Sequence, residues 1–168
     1  LLPGHPQLPR GAAPAEGQPW TPAIEPLSAG WGAKVLLARA AAYASHPSEF
    51  SALFDYETME PLLTRPPFVR ALEELVAAAQ TSTVDLTTYT PEAARRALMA
   101  GHAAMTLTWP SRSTSDGKPL PLAENARIDF ARLPGSDTVY NFGEQIWTPR
   151  GAEGTSMHVP LLGTAGVL

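Results

Sequence analysis

Two tryptophans stand where binding chemistry is easiest to build. Trp109 closes the apolar run 103–109, just before Pro110 and a polar loop. Open α/β architectures place ligand-contacting residues where strands run out into loops. Trp31 follows Ser28-Ala29-Gly30 at the head of an alanine-rich run. Small residues there leave room for a ligand, and a helix start offers backbone N–H groups with no intrahelical partner. An indole is a flat apolar platform, and a few polar groups beside it hold hydroxyls. The implied chemistry is the binding of a small molecule with apolar C–H faces ringed by hydroxyls. Sugars fit that description, although a single ring also suits amines and peptides. Trp109 reads as a platform ahead of core packing; Trp31 reads first as core or hinge packing and second as a ligand contact. Asp55 and Tyr56 follow as further ligand-binding candidates.

Positive signs of catalysis are missing. No Gly-x-Ser-x-Gly occurs, and Gly151-Ala-Glu-Gly-Thr lacks the lysine and spacing of a phosphate loop. His5, His46, His102 and His158 have no metal-ligand spacing, and the chain has no cysteine, so neither a thiolate metal site nor a disulfide framework is available. Glu73 and Glu74, with Arg70, are expected to face water on a helix. A polysaccharide hydrolase would need two converging carboxylates, drawn from Asp55, Glu57, Glu60 and Glu144. The reading is of a protein that is not an enzyme, with no metal and no cofactor.

Charge and hydropathy narrow the partners. Twelve basic against sixteen acidic residues give a net charge of −4, and the densest basic cluster is the pair Arg95 and Arg96. Phosphate neutralisation needs a basic stripe, so no nucleic-acid partner is expected. No run approaches the roughly 18 apolar residues of a membrane-spanning helix. Hydrophobic residues make up 44% of the 168, enough for one domain with a real core.

The elements that would position these residues follow from punctuation and period. Residues 1–26 are dense in proline and glycine and read as an extended arm, with Trp20 anchored on the surface. Residues 27–168 read as a single α/β lobe. Trp31 to Ser45 reads as a mostly buried helix with Ser28 as its cap. Two short strands, or an extended hairpin, are expected across 53–56 and 59–63. Thr64 to Gln80 is the clearest helix: Pro66 and Pro67 occupy its first turn, and Phe68, Val69, Leu72, Leu75, Val76 and Ala79 make one apolar stripe. After a polar connection, Thr90 caps a helix that starts at Pro91 and stops at Gly101. A buried strand follows over 103–109, with Met105 in the core. A strand over 127–133, a turn at 134–137, an extended segment over 139–147 and a short strand over 159–162 complete the pattern. Glu144 and Gln145, beside Trp147, read as an exposed edge ahead of a polar cleft wall.

The segment 94–110, "ARRALMAGHAAMTLTWP", resembles the extracellular solute-binding proteins of ABC transporters, in the branch that includes the maltose-binding protein. "IDFARLPG" at 128–135 and "FDYETMEPLLTRPPFVRALEEL" at 54–75 extend the resemblance in the same order. The resemblance implies one lobe of a periplasmic-binding-protein-like type II fold, with helices packed on a small mixed sheet and the partner lobe absent. It implies a solute, a sugar or oligosaccharide, held in the cleft between lobes by Trp109 and by the helix start at Trp31. An ABC permease would be engaged through the full-length protein, in the periplasm or outside the cell. Both ends read as cut from a longer chain. The alternative is a non-catalytic structural or protein-interaction module that keeps this fold.

Overall fold

A computed structural model describes residues 20–108, 127–129 and 135–150. The fold is mixed α/β. In chain order its elements are β1 (Thr21–Ile24), α1 (Gly32–Ala44), α2 (Pro66–Thr81), a single 3-10 turn (Leu86–Thr88), α3 (Pro91–Met99), β2 (Ala103–Thr106), β3 (Thr138–Asn141) and β4 (Ile146–Pro149). β1 pairs with β2 in parallel, Thr21 opposite Ala103 and Ile24 opposite Thr106. β3 and β4 form an antiparallel hairpin that sets Tyr140 opposite Trp147. Parallel neighbours need a long crossover between them, and α1, α2 and α3 all lie in that connection.

Two apolar clusters hold the elements. In the first, Ala40, Tyr43 and Ala44 of α1 meet Leu62 and the Phe68 and Ala71 of α2. Alanine at the contact positions lets the two helix backbones approach, while Phe68 fills the space between them. The second joins Ile24 of β1, Leu86 of the 3-10 turn, Ala94 and Ala97 of α3, and Ala103 of β2. α3 is tied at both ends. Thr90 Oγ1 accepts the Ala93 N–H at 3.2 Å, with Pro91 in the first turn. At the other end Gly101 adopts φ +81°, its N–H donates to Leu98 O at 3.0 Å, and the His102 N–H donates to Ala97 O at 2.9 Å. This is the paired-bond stop that glycine allows, and it turns the chain directly into β2. Thr90→Ala is expected to cost about 1 kcal/mol, read as a lowered midpoint in urea unfolding with unchanged slope.

Several expectations need correction. Thr21 to Ile24, inside the expected arm, are a paired strand with Thr21 and Ile24 each only 1% exposed. Ser28 does not cap α1. Its carbonyl accepts the N–H groups of Trp31 and Gly32 instead, and Gly30 turns through φ +80°, so the helix begins at Gly32. Residues 53–63 form a short hairpin-like turn rather than two full strands, with one antiparallel bridge from Phe54 to Pro61 and the Leu62 N–H on Leu53 O at 2.8 Å. Met105 is 59% exposed rather than in the core: it shares the face of Ala103 by strand alternation, but only Ala103 of β2 reaches the cluster packed by α3. The apolar stripe of α2 divides. Phe68, Ala71 and Leu75 are buried, while Val69, Leu72 and Val76, at the same spacing but rotated by one residue, stay 44–51% exposed. α1 covers one face only. The extended segment expected over 139–147 is the β3–β4 hairpin. The strand expected over 159–162 and most of that over 127–133 lie outside the described residues.

Candidate functional site

Because β1 and β2 run in parallel, both chains leave the sheet at one edge. After β1 the chain enters the Ser28–Trp31 turn. The Leu27 N–H donates to Leu86 O and the Ser28 N–H to Tyr89 O, each at 3.1 Å. Past β2, the Leu107 N–H and Thr106 Oγ1 both donate to Ile24 O, at 3.1 and 2.9 Å. Thr108 Oγ1 donates to Pro91 O at 3.3 Å and accepts from Arg95 at 3.1 Å. The starts of α1 and α3 are thereby drawn to the edge where the strands end. Each helix start carries N–H groups with no intrahelical partner and a partial positive charge.

Ser28 and Trp31 sit on this edge together. Among the described residues, Ser28 Oγ is buried with no hydrogen-bond partner. An unmet buried hydroxyl costs about 1–3 kcal/mol, so it favours any group that can reach it. Trp31 is half-buried, and Lys34 Nζ lies 4.0 Å from its ring centroid. Trp109 lies outside the described residues, and Thr108 is the last described residue before it.

Asp55 and Tyr56 lie elsewhere, in the 54–61 turn packed beside the α1–α2 cluster. Asp55 Oδ1 accepts the N–H of Thr58 at 2.8 Å and of Glu57 at 3.0 Å, and the Thr58 hydroxyl at 3.0 Å. The Thr58 bonds, backbone first, hold its carboxyl below the ordinary aspartate value. The carboxylate is a turn-former. Tyr56, 73% exposed, lies against Phe50 with ring centroids 5.0 Å apart.

A second concentration of polar and aromatic groups joins α1, α2 and the hairpin. Glu74 accepts the Tyr43 hydroxyl at 2.7 Å, Arg39 at 3.1 Å and Arg70 at 3.3 Å. Arg39 also bonds Glu25 at 2.5 Å. Burial pushes the Glu74 carboxyl up, but the bonds from Tyr43, Arg39 and Arg70 outweigh it, and the group ends below its usual range. Burial, and then the bond to Glu74, raises the Tyr43 hydroxyl. The Arg70 guanidinium lies over two rings, 4.4 Å from the Tyr43 centroid and 5.1 Å from that of Trp147. Trp147 meets Tyr140 and Tyr43 edge-on, at 5.3 and 6.0 Å. Beside it runs an open groove of about 540 Å³.

No protein-family model, curated protein or solved structure matches the chain.

The second cluster has no local signature in the sequence. Periodicity alone puts Arg70 and Glu74 on the polar face of α2, which the sequence leaves to water; the hairpin, Arg39 and Tyr43 cover that face. The available signal was the spacing of four between Arg70 and Glu74 together with aromatic residues at 140, 142 and 147. Glu73 stays exposed, as do Glu144 and Gln145.

Proposed function

We propose that the chain is one lobe of a two-lobed solute-binding protein, with a periplasmic-binding-protein-like type II fold, serving an ABC-type importer in the periplasm or outside the cell. The ligand is a hydroxyl-rich solute, a sugar or oligosaccharide, bound at the edge where β1 and β2 end. The observation that carries this reading is the parallel pairing of β1 with β2, which gathers the Ser28–Trp31 turn, the start of α3 and the exit of β2 along one edge. Trp31 supplies an apolar platform for the C–H face of a ring. Ser28 Oγ supplies a donor to a hydroxyl, and the positive ends of the α1 and α3 dipoles favour its oxygen. No proton transfer or covalent step is involved. Closure of the facing lobe over the solute is what a permease would read.

Trp31→Ala tests it. Removing the platform should weaken binding of the best ligand in a neutral-sugar panel about tenfold or more, equivalent to roughly 1.4 kcal/mol. The far-ultraviolet circular dichroism should be unchanged, because Trp31 is half-buried at a helix start. Sugar affinity indifferent to Trp31→Ala would remove this edge as the site. The exposed Val69, Leu72 and Val76 on α2 favour a second reading, a non-catalytic protein-interaction module. Silence across the sugar panel would favour that reading.

A further inference from the structure

We infer that the groove between α2 and the β3–β4 hairpin is a separate binding site for a neutral, hydroxylated ring. It is built from α2 and the hairpin, with Thr64 and Pro66 at its start, and shares no residue with the edge at Ser28 and Trp31. Its platform is Trp147, 37% exposed although its ring is fixed by Tyr43, Tyr140 and the Arg70 guanidinium. A ring held this way loses little freedom when a ligand covers it, which lowers the entropic cost of binding. The groove measures about 540 Å³ and is shallow and widely open, so a ring would lie against Trp147 rather than be enclosed.

Charge decides the ligand class. Arg70 is met by Glu74 at 3.3 Å, and Glu73 adds a second carboxylate to the groove wall, so an anion gains little there. The guanidinium already lies over Trp147, which disfavours a second cation on the same ring. A neutral ligand meets neither obstacle. Hydroxyls suit the rim because it offers both kinds of partner. The Glu73 carboxylate accepts, and the Thr64 hydroxyl donates or accepts, while the Thr138 hydroxyl is already shared with Ser136 at 3.3 Å and Arg70 at 3.4 Å. Arg70 has donors to spare: of its five N–H groups, one bonds Glu74 and one bonds the Thr138 hydroxyl at 3.4 Å. An apolar platform with a mixed polar rim is the ordinary arrangement for a C–H face edged by hydroxyls.

The test is a heteronuclear NMR titration of this chain with maltose, with glucuronate and choline as charged controls. Maltose should shift the Trp147 indole N–H and the amides of Glu73 and Thr138, and both controls should leave them in place. Glu73→Gln, at an exposed position that no packing depends on, should weaken maltose about fivefold at these signals. Trp147→Ala should abolish the shifts of Glu73 and Thr138. Trp31→Ala should leave this site unchanged, which separates it from the strand edge. The inference is overturned if maltose moves none of these signals, if choline or glucuronate moves them equally, or if Glu73→Gln has no effect. Shifts confined to Ser28–Val35 would overturn it and leave the strand-edge proposal standing.

Discussion

Phe68→Ala should destabilise the protein by about 3–5 kcal/mol, the range for deleting a buried aromatic side chain. Phe68 is 3% exposed and lies between the alanine faces of α1 and α2, so its removal leaves a cavity that alanines cannot collapse to fill. In a chain of this size the loss corresponds to a melting temperature lower by roughly 10 °C. The informative control is Leu72→Ala. Leu72 belongs to the same apolar stripe in the sequence but is 51% exposed, and its truncation should stay within about 0.5 kcal/mol. Equal losses at the two positions, measured by urea unfolding, would mean that α2 buries both halves of its stripe.

The second large effect concerns Glu74. One carboxylate receives Tyr43, Arg39 and Arg70, with its side chain 32% exposed. Glu74→Gln keeps the size but removes the charge that three donors address. Each charge-assisted bond is worth about 1.5–3 kcal/mol when buried, but partial exposure screens them, and the expected total is about 2 kcal/mol. The folded-state pKa of Glu74 is depressed, so its contribution is fully present above the unfolded glutamate value. It is lost as pH falls through the lower folded value. Wild type should therefore lose stability on moving from neutral pH to pH about 3, and the difference between wild type and Glu74→Gln should shrink over the same interval. Urea unfolding at both pH values reads it directly. A difference that stays constant with pH would show that the carboxylate's charge contributes nothing.

What could be read from the sequence follows from which signals are local. α2 and α3 were legible because prolines at their starts, an apolar period and Gly101 all act within a few residues. The alanine-rich α1 was legible too, although the turn at Gly30 moves its start past Ser28. β1 was hidden by proline density. Pro22 is exposed within it, and the register pairs Thr21, Ala23 and Ile24 with β2, so the missing N–H costs no ladder bond. The hairpin reads in sequence as one extended piece because its turn lacks an Asn-Gly signal; Gln145 instead takes φ +57°. Ser28 and Trp31 were legible as a pair because they share one turn. Their neighbourhood with Tyr89, Pro91 and Thr108 was not, since it depends on a parallel pairing across about 80 residues of chain. The Glu74 cluster was invisible for the same reason, being assembled from three elements distant in sequence.

The most direct test of the strand-edge site is to map amide shifts across the whole chain while titrating a panel of neutral mono- and disaccharides. If the chain is one lobe of a two-lobed cleft, as proposed, it should bind weakly by itself, with dissociation constants on the order of millimolar. For the best sugar, shifts should gather at Ser28 to Val35, at Tyr89 to Ala93 and at Leu107 and Thr108, and should vanish in Trp31→Ala. A panel that moves none of these amides, or moves them equally in Trp31→Ala, would contradict the assignment of solute binding to this edge.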